Sequence, residues 1–220
     1  AENYRFADAD TGRGTVTGRV CAAADHSLPV TGANIKVFSG STLIAQAVAD
    51  ESGNYTLEIP EGSGYRIEIS AAGYIPFLYY TNVTAGQCVY LETFLMVQNA
   101  EADSGIAAGK VLDAETGQGL ELVKLQFYKG WNSSSGEVLA TELTDENGAY
   151  SVELPLGNYT AVAVKQGYIT GLFHIVVQEG TTGDQNGTLS KAPGGDGDYR
   201  IVLTWGLNPR DLDSHVVGQL

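Results

Sequence analysis

Positive charge is scarce in this chain: lysine and arginine together number 12 in 220 residues, against 26 aspartates and glutamates, for a net charge of −14. Such a surface repels phosphate backbones and anionic headgroups, so nucleic acid and membrane surfaces are not expected partners. No apolar run approaches the roughly 18 residues of a membrane-spanning helix, so no membrane insertion is expected. The opening residues, AENYRFADAD, lack the basic and apolar regions of a signal peptide. Methionine occurs once and cysteine twice; two cysteines do not make a disulfide framework, and no CxxC or Cys/His spacing suggests a metal knuckle. Helical stripes of about 12 residues are missing as well. Neither a G-x-S-x-G elbow nor an HExxH motif occurs, and His26, His174 and His215 fall in three separate segments. The expectation is a chain without enzymatic activity and without a cofactor.

Glycine, by contrast, is abundant, at 28 residues, and 43% of the chain is hydrophobic, enough for packed cores. The chain also repeats itself. Asp50-Glu-Ser-Gly-Asn-Tyr-Thr-Leu-Glu-Ile-Pro60 recurs as Asp145-Glu-Asn-Gly-Ala-Tyr-Ser-Val-Glu-Leu-Pro155, Ala72-Gly73-Tyr74-Ile75 as Gln166-Gly167-Tyr168-Ile169, and Thr17-Gly18-Arg19-Val20 as Ala108-Gly109-Lys110-Val111. A repeat of this length marks two structural units. They span 14–99 and 105–191, after an N-terminal segment 1–13 and with a short polar linker between them. Within each unit apolar residues alternate with period two, as in Tyr55, Leu57, Ile59 and Tyr150, Val152, Leu154. That is the pattern of half-buried strands, punctuated by turns such as Ser52-Gly53 and Asn147-Gly148. The predicted fold is all-β, two tandem antiparallel β-sandwiches. Residues 199–220 do not repeat either unit and read as the first strands of a truncated third β domain, so the chain is expected to be part of a longer protein.

The motifs G-x-V, D-E-x-G-x-Y-x-L-x-L-P and G-Y, in both units, resemble the carboxypeptidase regulatory-like domain. That family is transthyretin-like (prealbumin-like) and related in fold to the B-type repeats of bacterial collagen adhesins. The resemblance implies seven-stranded sandwiches serving as a stalk, spacer or accessory module of a bacterial cell-surface protein, a cell adhesion protein outside the cell. Fold-level likeness does not assign a function by itself. Two rivals stand beside the stalk: a carbohydrate-binding module and an accessory region of a secreted hydrolase. The resemblance to adhesin repeats also implies a candidate Lys–Asn or Lys–Asp crosslink, promoted in those repeats by a buried Glu. Arg19 stands where unit two has Lys110, and the Thr160-Ala-Val-Ala-Val164 strand has no Glu, so no crosslink is expected.

For an extracellular protein or glycan ligand, the candidate residues are Trp131, in a Gly-Trp-Asn-Ser-Ser-Ser-Gly loop, and the adjacent Tyr79 and Tyr80. Flat rings beside amides and hydroxyls can stack on sugar faces or make a protein contact, whereas the alternative is that these rings pack within the protein. Tyr79 and Tyr80 cannot both point inward on a strand. Cys21 and Cys88 are either a clip within unit one or two outward-facing free thiols. Asp211, Asp213 and His215, on alternate residues of a strand, would share one face and are the candidate metal ligands, against the alternative of an acidic strand end. The acidic turns at Asp8, Asp10, Asp50, Asp113, Asp145, Asp196 and Asp198 lack a calcium-loop pattern and read as turn starters. The oligomeric state is open.

Overall fold

A computed structural model describes residues 12–98 and 102–193. Residues 199–220, expected to open a third β domain, lie outside the described residues, and with them Asp211, Asp213 and His215; so do Asp8, Asp10, Asp196 and Asp198. No described helix crosses a membrane, because the described residues contain strands and turns alone.

The first sandwich runs through β1 (Arg13–Ala22), β2 (Asp25–Pro29), β3 (Asn34–Ser39), β4 (Thr42–Val48), β5 (Asn54–Pro60), β6 (Gly62–Ser70), β7 (Phe77–Val83), β8 (Cys88–Tyr90) and β9 (Thr93–Leu95). The second runs through β10 (Ser104–Asp113), β11 (Lys124–Lys129), β12 (Ala140–Leu143), β13 (Ala149–Pro155), β14 (Gly157–Val164), β15 (Gly171–Val177), β16 (Thr181–Thr182) and β17 (Gly187–Leu189). In each, one sheet has four antiparallel strands: β4-β3-β6-β7 and β12-β11-β14-β15. The facing sheet centres on β1 or β10, with β5 or β13 antiparallel on one side and two short parallel pieces, β8 and β9 or β16 and β17, on the other. Counting each broken pair as one strand position, both sandwiches have the expected seven; β2 is an addition of the first alone.

Period-two patterning produces this arrangement directly. In β5, Tyr55, Leu57 and Ile59 are buried while Asn54, Thr56 and Glu58 face out, and β13 repeats the pattern with Tyr150, Val152 and Leu154. Each sandwich closes its own core, one around Val16, Ile35, Ile59, Ile67 and Ile69, the other around Leu125, Phe127, Tyr159 and Ile175. Fully burying one such side chain is worth roughly 1.5–3 kcal/mol.

The repeated D-E-x-G-x-Y motif has a local reason at each end. The carboxylate of Asp50 accepts hydrogen bonds from the Ser52 and Asn54 amides at 2.9 and 2.8 Å, and that of Asp145 from the Asn147 and Ala149 amides, both at 2.8 Å. These are Asx turns, the backbone-bonding role expected of turn starters. Gly53 and Gly148 close them at φ +81° and +74°, with a Cβ excluded by the carbonyls of Val20 and Val111. At the other end, the Tyr55 hydroxyl donates to the Leu91 carbonyl (3.1 Å) and the Tyr150 hydroxyl to the Gln185 carbonyl. Both carbonyls sit at the break between the two parallel pieces, so the tyrosine satisfies a group that the interrupted ladder leaves over. Burial pushes both phenol pKa values up.

Asp113 ties the second sandwich together at the end of β10. Its Oδ1 accepts from the Glu115 and Thr116 amides (2.9 and 3.0 Å), its Oδ2 accepts the Tyr168 hydroxyl (2.8 Å), and Lys191 stands 3.7 Å away. Hydrogen bonding to the ionised form, led by the Thr116 amide and the Tyr168 hydroxyl, holds its pKa down to about 2 from an ordinary 3.8. A carboxylate lowered in the folded state contributes stability that is fully present above the unfolded pKa and lost as pH falls through the folded one. The unfolding midpoint in urea is therefore expected to fall as pH drops from 3.8 towards 2, and Asp113→Asn is expected to flatten that acid limb; an unchanged limb in the variant would refute the assignment.

Candidate functional site

The four-stranded sheets of the two sandwiches differ in one connection. In the first, β3 turns into β4 through Gly40 and Ser41 alone; in the second, residues 130–139 separate β11 from β12. The longer loop reaches across to the first sandwich and seizes the free edge of β7. The Trp131 amide donates to the Leu78 carbonyl at 2.9 Å, and the Tyr80 amide donates to the Trp131 carbonyl at 3.0 Å, forming a parallel bridge opposite Tyr79. The Asn158 side chain of β14 adds a second pair of bonds: its Oδ1 accepts from the Leu78 amide (3.0 Å) and its Nδ2 donates to the Leu78 carbonyl (2.7 Å). An edge strand whose backbone groups would otherwise face water is thus capped by the neighbouring domain.

The loop is held equally well from its own side. Gly130 donates to the Asn158 carbonyl (2.8 Å), the Thr160 hydroxyl donates to the Gly130 carbonyl (2.8 Å), and the Ser133 amide donates to that same hydroxyl oxygen (3.1 Å). Asn158, Thr160 and Ser133 are all buried. Gly130 adopts φ +88°, and a Cβ there would lie 2.8 Å from Tyr80 Cε2 and 3.0 Å from Leu78 Cβ. Both its conformation and its packing thus require glycine.

The Trp131 ring is the centre of the junction. It packs against the first sandwich's core beside Tyr79, meets Phe77 edge-on (centroids 4.9 Å apart, planes at 80°) and stacks on His174 of β15 (4.6 Å, 5°). One indole therefore touches aromatic rings of both domains, a geometry worth more than its area alone. Its Nε1 donates to the Ile175 carbonyl at 3.4 Å, and His174 Nε2 lies 2.9 Å from Asn132 Oδ1.

Burial pulls the His174 pKa below its ordinary 6.5, so the neutral imidazole is the form that fits. The sign follows from linkage: where the unfolded state binds the proton more readily, folding weakens as pH falls. The junction is expected to be at full strength above pH 6.5 and to loosen below it. His174→Phe, which keeps a flat ring and removes the titrating group, is expected to abolish that loss, as read from amide exchange at Trp131 and Tyr80 between neutral and mildly acidic buffer.

Beneath the loop, Lys129 is half-buried, its ammonium donating to the Leu156 carbonyl and the Tyr159 hydroxyl (both 3.0 Å) and lying 4.4 Å from the Tyr159 ring centroid. Desolvation lowers its pKa. Lys110 is exposed.

Of the residues singled out from sequence, the structure brings Trp131, Tyr79 and Tyr80 together at this junction. Tyr79 faces the first core, and Tyr80 turns to the opposite face and the open groove beside the loop. Cys21 and Cys88 are not brought together. Along β1, Cys88 stands opposite Thr15 and Cys21 opposite Phe94, six strand residues apart, or roughly 20 Å, whereas a disulfide needs Cα atoms within about 7 Å. Both thiols are free, Cys21 buried and Cys88 exposed. The phase of β1 would turn Cys21 outward. It is covered instead because β2 and β9 flank it, at a bulge between Cys21 and Ala22. Burial raises its thiol pKa, partly offset by Arg19. Among the described residues no three His, Cys, Asp or Glu side chains cluster in a way that could hold a metal ion. Sequence reasoning missed Asn158, Gly130 and His174; the length of the loop after β11, set against the two-residue turn of unit one, was the signal available.

Fold and junction define a tandem of two β-sandwiches coupled through a strand edge. More narrowly, the first sandwich is similar to the carboxypeptidase regulatory-like domain, whose family model matches residues 15–96. Solved structures similar to the chain include the Bacillus anthracis TIE protein (17% identity, 82% of this chain and 34% of that one, TM-score 0.33). A streptococcal ancillary pilin (16%, 84% and 64%, TM-score 0.32) and GBS52, the minor pilin of Streptococcus agalactiae (15%, 85% and 100%, TM-score 0.35), are similar as well. The chain thus spans about a third of the first of these proteins and 64% of the second. No curated protein matches it significantly.

Proposed function

We propose that the chain is a non-catalytic structural segment of a bacterial cell-surface protein, a stalk or spacer that holds its neighbours at a set distance and orientation outside the cell. The observation that carries this reading is the junction. A backbone bridge, a bidentate asparagine and a three-ring aromatic cluster fix one sandwich against the other. A linker alone would leave two such domains free to reorient, which is the default for small interfaces within a chain. The family match of the first sandwich and the acidic net charge of −14 support the same reading. An adhesive role would then fall to surfaces the stalk presents, with an extracellular protein or glycan as partner.

Residual dipolar couplings test the stalk directly. A stiff spacer requires both sandwiches to fit a single alignment tensor with one relative orientation; two independent tensors in the wild-type protein would sink the proposal.

A further inference from the structure

We propose that the groove at the junction is a binding site for a neutral saccharide, shared by both sandwiches. Tyr80, Thr81 and Asn82 of β7 form one wall and Asn132, Ser134 and Ser135 of the long loop the other, enclosing about 390 Å³. Every lining side chain is uncharged, in a chain carrying −14. A site for a cation would draw on that surplus of carboxylates, and one for a phosphate or carboxylate would need lysine or arginine. This groove has neither. It offers amides, hydroxyls and one tyrosine ring, the donor and acceptor mixture that matches sugar hydroxyls, with a flat face for the C–H side of a pyranose.

The capacity is only partly spent. Asn82 Oδ1 accepts from the Gly64 amide (2.9 Å), and Asn132 Oδ1 pairs with His174 Nε2 (2.9 Å), which leaves the two Nδ2 groups as donors. Ser134 and Ser135 are exposed, and Asn132 takes a positive φ of 58°, a conformation asparagine tolerates better than most residues. The walls come from different domains, so the site exists only while Trp131 keeps the two in register. A peptide ligand is disfavoured because the groove lacks an apolar recess for side chains.

This inference rests on the same fixed junction as the spacer reading, but the two fail separately: two independent alignment tensors would sink the spacer, whereas a single tensor without ligand shifts would sink the saccharide site alone. The test is NMR titration of the full chain with N,N′-diacetylchitobiose, lactose and maltotriose at millimolar concentration. Saturable shifts confined to the Asn82 and Asn132 side-chain amides and to residues 132–135 are expected with at least one of the three. Asn82→Ala and Ser135→Ala are expected to weaken that binding about tenfold each, as the loss of one good hydrogen bond does. Unchanged Trp131 and Tyr80 amide signals would report the junction intact in both variants. Absence of shifts with all three sugars, equal shifts with a Gly-Ser-Gly tripeptide, or wild-type affinity in both variants would overturn it.

Discussion

Trp131→Ala is expected to split the unfolding of this protein into two transitions. In the wild type, the indole is anchored in unit two through its stack on His174 and in unit one through Phe77 and Tyr79, so neither domain can unfold without exposing it. Truncating a buried tryptophan costs about 3–5 kcal/mol, and the half-buried position of this one argues for the lower end. A loss of about 3 kcal/mol weakens the coupling by a factor of roughly 150. The backbone bridge to Leu78 and Tyr80 survives, since any residue supplies an amide and a carbonyl, yet it then stands open to water, where its net worth is only about 1 kcal/mol per bond. Calorimetry is the check: one cooperative peak in the wild type and two in the variant are expected. A single peak that merely shifts would mean that Trp131 serves unit two alone.

Phe127→Ala is expected to lower the stability of the second sandwich by about 3–5 kcal/mol, because it removes a fully buried ring from the middle of the core and leaves a cavity. Against the roughly 5–15 kcal/mol that holds a domain folded, this is a large fraction. The consequence extends past the second domain. Phe127 lies on β11, whose end launches the loop carrying Gly130 and Trp131, so when unit two opens, the edge of β7 loses its cover. Hydrogen exchange should show the Tyr80 amide of unit one becoming unprotected together with the core amides of unit two, while β1 and β5 stay protected. If Tyr80 keeps its protection after unit two has opened, the bridge to Trp131 is not what shields it.

These effects bear on how the molecule is built. The two cores are independent, each closed by its own two sheets, but the edges are not: β7 is finished by the other domain. By spending the long loop on that edge, the chain covers a strand that would otherwise invite pairing with another molecule and sets the relative orientation of the units in the same stroke. The groove flanked by Tyr80 and Asn132 is a by-product of that seam, and such seams between domains are where ligand sites often form.

Much of the fold was readable in the sequence because its causes are local. Strand phase is written in alternate residues, so Tyr55, Leu57 and Ile59 announced their buried face and the repeat announced a second copy. The D-E-x-G turn follows from an aspartate able to bond the backbone two and four residues on, and from a glycine able to take positive φ. The site was another matter. A Gly-Trp-Asn-Ser loop reads the same whether its ring lies open to a sugar, folds onto its own sheet or docks on a neighbour, because the partners that decide it, Leu78, Phe77 and His174, lie more than 40 residues away along the chain. Cys21 and Cys88 show the same limit: composition left the clip open, and only the register of β8 and β9 on β1 set the thiols apart. What the sequence determined alone was the repeated unit, its strands and its turns, through short-range sterics and hydrophobic period. The pairing of one domain's edge with the other's loop belongs to tertiary structure, since it depends on which distant surfaces meet once both cores have closed.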